Sequence, residues 1–304
     1  MKALVIGYGS IGARHAKILS QSLGCDTAVL SGRDVDFPLV YHCLDDALDQ
    51  HAPDYVVIAN QTNLHHETLS RLVLARFAGR VLIEKPIFET NRPIPPGVFQ
   101  HVAVAYNLRF HPLIRKLREL VAGQNIISVN AYVGQYLPSW RPANDYRRSY
   151  SASRTKGGGA LLDLSHELDY LTWLFGEWKL MAALGGHFSS LEIESEDLFV
   201  ILAQTSSCDA MTVQMSYLDR RAARRIIVNT ADHTVEINLI GGTISVDGEV
   251  EMIRVERDFS YVKMHQTYLY GKPGELCSVE EGLRILDMIE RAELANRTKT
   301  WVTK

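Results

Sequence analysis

Cysteine is scarce. The 304 residues hold four, Cys25, Cys43, Cys208 and Cys277, scattered and without a CxxC pair. That excludes a disulfide framework and a four-thiolate zinc site, and it fits reduced thiols in a cytoplasmic protein. An excess of either charge is also missing: 32 Lys and Arg stand against 35 Asp and Glu, a formal net charge of −3. No polyanion-binding surface is expected, so nucleic acid is excluded as a partner. Long apolar runs are absent too. The opening "MKALVIGYG" is far too short for a signal peptide or a membrane span, so no membrane association is expected. Internal repeats and low-complexity linkers are lacking as well. The remainder, 46% hydrophobic and 22% charged, is an ordinary globular composition, long enough for two domains.

The chain begins with "KALVIG" (2–7), an apolar run that predicts a buried parallel strand. It feeds "GYGSIG", with Gly7, Gly9 and Gly12 in GxGxxG spacing, and then "ARHAKILSQSLG" with helical periodicity. Strand, glycine turn and helix together point to a dinucleotide site. One glycine serves the tight turn, one the approach of a pyrophosphate and one helix-on-strand packing, while the helix N-terminus faces the phosphates. Tyr8, Ser10 and Ile11 lie within that turn.

A second strand, "TAVLSGRD" (27–34), should end beside the adenine ribose. An NAD site usually offers Asp or Glu there, whereas this chain offers Ser31, Gly32 and Arg33. A hydroxyl followed by a cation suits a 2′-phosphate, so NADP(H) is favoured. NAD(H) is the alternative, with Arg33 solvated and Asp34 or Asp36 serving the ribose. Further strand and helix segments alternate through "DALDQHAP", "DYVVIAN", "LHHETLSRLVLARF", "GRVLIEKP" and "HVAVAYN". Such repetition predicts a doubly wound parallel sheet, whose ligands sit beyond the strand C-termini. Those tips are "ANQTNLH", "EKP" and "YNLRFHP". They put Asn60, Gln61, His65, Glu84, Lys85 and Pro86 beside the cofactor, and Asn107 and Arg109 beside a substrate.

After the helix "HPLIRKLREL" (111–120) the texture changes to alternating strand-like segments, from "IISVNAYVGQYL" to "TISVDGEVEMIRV". Only "GGGALLDLSHELDY" (157–170) and "SVEEGLRILDMIERAELAN" (278–296) read there as solid helices. The reading is an α/β fold: a dinucleotide-binding Rossmann domain over residues 1–119, and an α+β domain on a mostly antiparallel sheet over 120–304. The Asp163, His166 and Tyr170 row faces away from a stripe of Leu161, Leu164, Leu168, Leu171 and Phe175 that must be buried. Zinc is excluded: "HELDY" lacks the second histidine of HExxH, and "HHE" (65–67) lacks a third ligand.

The chain resembles the Gfo/Idh/MocA family (glucose–fructose oxidoreductase, inositol dehydrogenase and MocA). The resemblance rests on "GYGSIGARH", "ANQTNLHHE", "EKP", "YNLRFHP", "GGGALLDLSHELDYLTWLFG" and "EEGLRILDMIE". It implies an open-faced sheet in the second domain that carries the substrate and mediates homodimers or homotetramers. It also implies hydride transfer between nicotinamide and a hydroxyl- or keto-bearing carbon of a sugar, polyol or nucleotide sugar. Lys85 matches the family's catalytic lysine, Asp163 the aspartate after the glycines, His166 the helix histidine and Asp169 the acidic residue three positions on. Two departures stand out. The Asp163-to-His166 spacing is one residue shorter than the family's D-x-G-x-H, and "IFETNRPIPPGVF" replaces a longer helix after "EKP".

A lysine in a cleft can have its pKa lowered toward neutrality, which suits Lys85 to act as acid/base at the reacting oxygen. His166 would be a second proton-transfer group or the direct base, with Asp163 orienting one of them. The glycines at 157–159 would let backbone amides approach the nicotinamide or substrate. Trp140, Arg141, Tyr146 and Arg147 sit just before that helix in a segment rich in aromatics and arginine, a composition that suits an acidic or nucleotide sugar. The segment also looks like the part of the family that serves bacterial surface-sugar biosynthesis. Two other readings stay open: a dinucleotide-binding regulatory relative that transfers no hydride, and a reductase of a non-sugar substrate.

Overall fold

The computed structural model describes residues 1–142, 144–271 and 273–304. Among these the strands form two sheets, of seven and nine strands. The chain divides into two compact units: Met1–Asn107 with Arg257–Leu283, and Leu108–Glu256 with Arg284–Lys304.

In the first unit, β1 (Lys2–Ile6), β2 (Asp26–Leu30), β3 (Val40–Tyr41), β4 (Tyr55–Ile58), β5 (Arg80–Ile83) and β6 (His101–Val104) are parallel. Their order, β6-β5-β4-β1-β2-β3, is that of a Rossmann sheet. Apart from the exposed Lys2, β1 and β4 are aliphatic or aromatic and buried, as a sheet covered on both faces requires. The register pairs Ile6 with Ile58, Ile58 with Ile83 and Ile83 with Val104. Gly7, Asn60, Lys85 and Asn107 therefore all lie just past the same end of the sheet, as the sequence predicts.

A single boundary near residue 119 does not hold. The segment 257–283 returns to the first sheet, where the strand Cys277–Ser278 pairs antiparallel with β6. The helix Phe259–Tyr270 belongs here as well, and its Tyr268 hydroxyl lies 2.7 and 2.8 Å from the Val81 and His101 carbonyls. Sequence periodicity misses this helix because its tyrosines, valine and threonine are weak helix formers. The helix Pro112–Val121, expected to close the first domain, falls in the second unit. Between β5 and β6 no helix forms, consistent with the prolines at 93, 95 and 96.

The second unit is built on β7 (Ile126–Gly134), β8 (Trp178–Gly186), β9 (Leu198–Thr205), β10 (Ala210–Ser216), β11 (Ala223–Thr230), β12 (Thr234–Asn238), β13 (Thr243–Val246) and β14 (Glu249–Met252), with Val302–Thr303 beside β8. The order is β14-β13-β12-β11-β7-β10-β9-β8, and all pairs are antiparallel except β7 with β10. One face carries the core: Val129, Ala131, Ile201, Val213 and Ile226 are buried. The predicted stripe Leu161, Leu164, Leu168, Leu171 and Phe175 is buried too. Leu184, Leu202 and Ile227 point the other way and are exposed.

The helix predicted in the stretch 157–170 is interrupted. One turn, Ala160–Asp163, is followed by Leu164 outside helical geometry and by Ser165, and a second helix runs from His166 to Phe175. Leu164 has ψ +21°, and the hydrogen bonds shorten to i→i+3 at Ser165 and Glu167. The Asp163-to-His166 spacing therefore spans the break between two helices rather than lying on one continuous helix. Glu167 and Asp169 fall in the first turn of the restarted helix, where carboxylates are favourable.

Candidate active site

The glycine turn of the first unit is fixed by close contact. Gly7 has φ +94°, and a Cβ there would lie 2.6 Å from the Asn60 backbone. A Cβ on Gly12 would lie 2.0 Å from the Gly7 carbonyl oxygen. Gly9 is different: nothing lies within 4 Å of its Cβ position. It begins the helix Ser10–Lys17, which has no side-chain cap and no acidic residue in its first turn. The leading N–H groups of Ser10, Ile11 and Gly12 thus have no side-chain cap, an arrangement suited to phosphate oxygens. The turn fits the pyrophosphate of a dinucleotide.

Around it the predicted residues take distinct places. Ser31 is buried, and its hydroxyl donates to the Arg33 carbonyl at 2.8 Å while accepting the Arg33 N–H at 3.1 Å. That local turn leaves the Arg33 and Asp34 side chains exposed. Tyr8 packs on Phe37 and its hydroxyl donates to the Asp36 carbonyl. Asn60 donates to Thr68 at 2.8 Å, while its buried Oδ1 has no hydrogen-bond partner among the described residues, leaving an acceptor available beside the glycine turn. Gln61, the next residue, is exposed.

His65 does not face a ligand. It is buried, with Nδ1 3.1 Å from the Ile87 carbonyl and 3.2 Å from that of Pro86, and Nε2 3.3 Å from that of Asn60. Burial lowers its pKa, which keeps the ring neutral. It ties the end of β4 to the loop after β5. In that loop Glu84 and Pro86 are buried, Lys85 is half-buried and the Lys85–Pro86 peptide is cis. Asn107 is held by a 2.7 Å hydrogen bond to Ser260.

In the second unit Asp163 is the centre of a phenolic cluster. It is buried, and Tyr217 donates to its Oδ2 at 2.6 Å. Burial first, and then the Asp163 charge, hold the Tyr217 hydroxyl well above its ordinary pKa. For Tyr150 the Asp163 charge acts first and burial second, in the same direction. Both phenols stay protonated donors around the carboxylate. Trp140 stands edge-on to Tyr217 with centroids 5.2 Å apart, and Arg141 lies 5.8 Å over the Tyr150 ring. His166, half-buried, opens the next helix.

Other predicted substrate contacts are engaged elsewhere. Arg109 is 2% exposed and bonds Asp169 through Nε at 3.0 Å and a terminal nitrogen at 2.7 Å. The hydroxyl of fully buried Tyr170 donates to Glu167, which also accepts from Arg224 at 2.8 Å. Asp169 and Tyr170 therefore stabilise the second unit from within. Arg147 is exposed and already paired with Asp145 and Glu192, while Tyr146 accepts from the Glu192 N–H.

The run at 157–159 also differs from its predicted use. A Cβ on Gly159 (φ +119°) would lie 2.2 Å from Glu196 Oε1. That carboxylate accepts the Leu161 N–H at 3.2 Å. The glycine makes room for the protein's own Glu196 rather than for a ligand. Burial pushes the Glu196 pKa up to about 7.

A Rossmann sheet with a phosphate-binding turn and a second unit on a large open sheet define a dinucleotide-dependent oxidoreductase architecture. The chain belongs to the Gfo/Idh/MocA oxidoreductases. Residues 1–94 match the oxidoreductase family's NAD-binding Rossmann fold, and 114–245 match the GFO/IDH/MocA C-terminal domain. It is 32% identical over 201 residues to an uncharacterized oxidoreductase of Synechocystis sp., a match that covers 59% of this chain and 52%, about half, of that relative. The fold is similar to that of levoglucosan dehydrogenase in complex with NADH and L-sorbose (TM-score 0.82, 14% identity, 100% of this chain and 98% of the other). It is likewise similar to the WlbA dehydrogenase from Bordetella pertussis in complex with NADH and UDP-GlcNAcA (TM-score 0.80, 18% identity, 100% and 98%). No helix among the described residues is long and apolar enough to cross a membrane, and no cluster of three or more metal-ligating side chains occurs among them.

Proposed function

We propose that this chain is an NAD(P)-dependent dehydrogenase or reductase acting on a hydroxyl- or keto-bearing carbon of a sugar, polyol or nucleotide sugar. The observation that carries the proposal is the meeting, at one end of the first sheet, of an open phosphate turn and the Lys85 loop. A nicotinamide dinucleotide bound in the turn would supply or accept the hydride. Gly7, Gly9 and Gly12, with Tyr8, Ser10 and Ile11, would hold its pyrophosphate, and Asn60, Gln61, Glu84 and Pro86 would frame the reactive end. Lys85 gives a proton to the reacting oxygen during reduction and takes it back during oxidation. His166 acts as a second proton-transfer group and Asp163 orients it, its carboxylate held in place by Tyr217 and Tyr150. Trp140 and Arg141 offer an apolar ring and a cation to a polar substrate.

An exposed Arg33 at the tip of β2 supports NADP(H) over NAD(H). Fluorescence titration should then find NADPH bound tighter than NADH, with Arg33→Ala reversing the order; NADH bound tighter by the unaltered protein would refute the preference. The exposed Leu184, Leu202 and Ile227 on the open sheet support a homodimer or homotetramer, and the scattered cysteines without a CxxC pair suit the cytoplasm. The reaction itself is tested by absorbance at 340 nm against sugars, polyols and UDP-sugars with both cofactors. Turnover with a member of that panel is expected. Tight cofactor binding with no turnover on any of them would instead indicate a regulatory relative.

A further inference from the structure

Glu84 is linked to three buried titratable groups, His15, His265 and Tyr55, that the mechanism leaves unused. Glu84 directly follows β5 and is 6% exposed. Its Oε2 accepts the Lys85 N–H at 3.0 Å, and its Oε1 lies 2.8 Å from Nε2 of His15. His15 stands on the helix Ser10–Lys17, three residues past Gly12, and its Nδ1 lies 2.8 Å from Nε2 of His265. His265, on the helix Phe259–Tyr270, places Nδ1 2.9 Å from the hydroxyl of Tyr55, the first residue of β4. His15, His265 and Tyr55 are fully buried.

We propose that Tyr55, His265, His15 and Glu84 form a positioning relay that fixes Lys85 relative to the glycine turn. The inference rests on Lys85 as the acting group of the proposed function. Its parts come from β4, the loop after β5 and two helices, and one of those helices opens at the dinucleotide turn.

One arrangement of hydrogens satisfies the whole chain. Tyr55 donates to His265 Nδ1, His265 Nε2–H donates to His15 Nδ1, and His15 Nε2–H donates to the Glu84 carboxylate. Burial pushes the His265 pKa well below the imidazole range and holds Tyr55 well above its ordinary value. A neutral His265 and a protonated Tyr55 are what this order requires. Every donor then points toward the carboxylate that grips the Lys85 peptide, and the bonds polarise one another in the same sense. The Tyr55 end is sealed from solvent, so the chain orients groups rather than conducting protons to water. Apolar side chains would fill the same space without the desolvation penalty of four polar groups, which makes stability alone a poor reason for the network.

The test uses the full chain with its lysines reductively methylated with carbon-13. The Lys85 signal is assigned by its loss in Lys85→Arg. Tyr55→Phe removes one oxygen three hydrogen bonds away from Glu84, and Glu84→Gln reverses the donor at the other end. Both variants should move the Lys85 titration midpoint by about 0.5 pH units or more, while the signals of exposed Lys17 and Lys179 stay in place. An unmoved Lys85 signal in both, even with a lowered melting temperature, would overturn the proposal and leave the network a purely structural one. Should Tyr55→Phe fail to fold, Glu84→Gln decides alone. The readout is independent of turnover. An active Lys85→Ala enzyme would defeat the catalytic role of Lys85 without touching the relay, and an unmoved signal would defeat the relay without touching that role.

Discussion

The two glycine turns of this chain look alike on paper and differ in space. Each stands directly before a helix. In the turn at 7–12, Gly7 and Gly12 are packed against backbone, while Gly9 borders open space and the helix start has no cap. In the run at 157–159, the third glycine presses on the buried carboxylate of Glu196, which bonds the N–H of Leu161. The first turn keeps its helix terminus available to an anion; the second has supplied its own. A glycine run reports that something comes close to the backbone, and only the three-dimensional neighbours say whether that something is a ligand or the protein itself.

Substitutions can break this contrast. Gly12→Ala should have the largest effect, because its Cβ would meet the Gly7 carbonyl oxygen at 2.0 Å and backbone cannot yield cheaply. A loss of about 3 kcal/mol or more in urea unfolding is expected, together with loss of dinucleotide binding; unchanged stability would contradict the packing role. Glu196→Gln tests the second turn. The Glu196 carboxyl is raised from 4.5 to about 7, so its contribution to stability is complete below pH 4.5 and fades as the pH rises through 7. Between pH 5 and 8 the unaltered chain should lose on the order of 3 kcal/mol from this group, and Glu196→Gln should lack that slope. Parallel stability curves would show that Glu196 is not held as described. Gly9→Ala is the mildest for the fold, since the new methyl enters empty space at φ −80°. Its melting temperature should stay within about 2 °C of the parent, yet NADH affinity should fall about tenfold, roughly 1.4 kcal/mol. Equal affinity would mean that the space is not the pyrophosphate's.

Much of the first unit is legible in the sequence because its signals are local. An apolar strand, a spaced glycine set and a helix are contiguous, and the tips "ANQTNLH" and "EKP" land beside the turn through sheet register alone. The relay is not legible. Tyr55, His15 and His265 are distant in sequence, and the helix that carries His265 is poor in strong helix formers. The buried leucine stripe of the second unit follows from period, but the break at Leu164–Ser165 does not, since nothing in "LLDLSHEL" marks an interruption. Arg109, Asp169 and Tyr170 read equally well as substrate contacts or as buried partners. Only tertiary pairing of Arg109 with Asp169, and of Tyr170 with Glu167, separates the two roles.

The proposed reaction is hydride transfer at the end of the first sheet, with Lys85 moving the proton. The initial rate at 340 nm of Lys85→Ala beside the unaltered chain, on the same sugar substrate and cofactor, decides it. A fall in kcat of about 10²- to 10⁴-fold is expected, with NAD(P)H affinity essentially retained. A Lys85→Ala enzyme that turns over at the parental rate would contradict it.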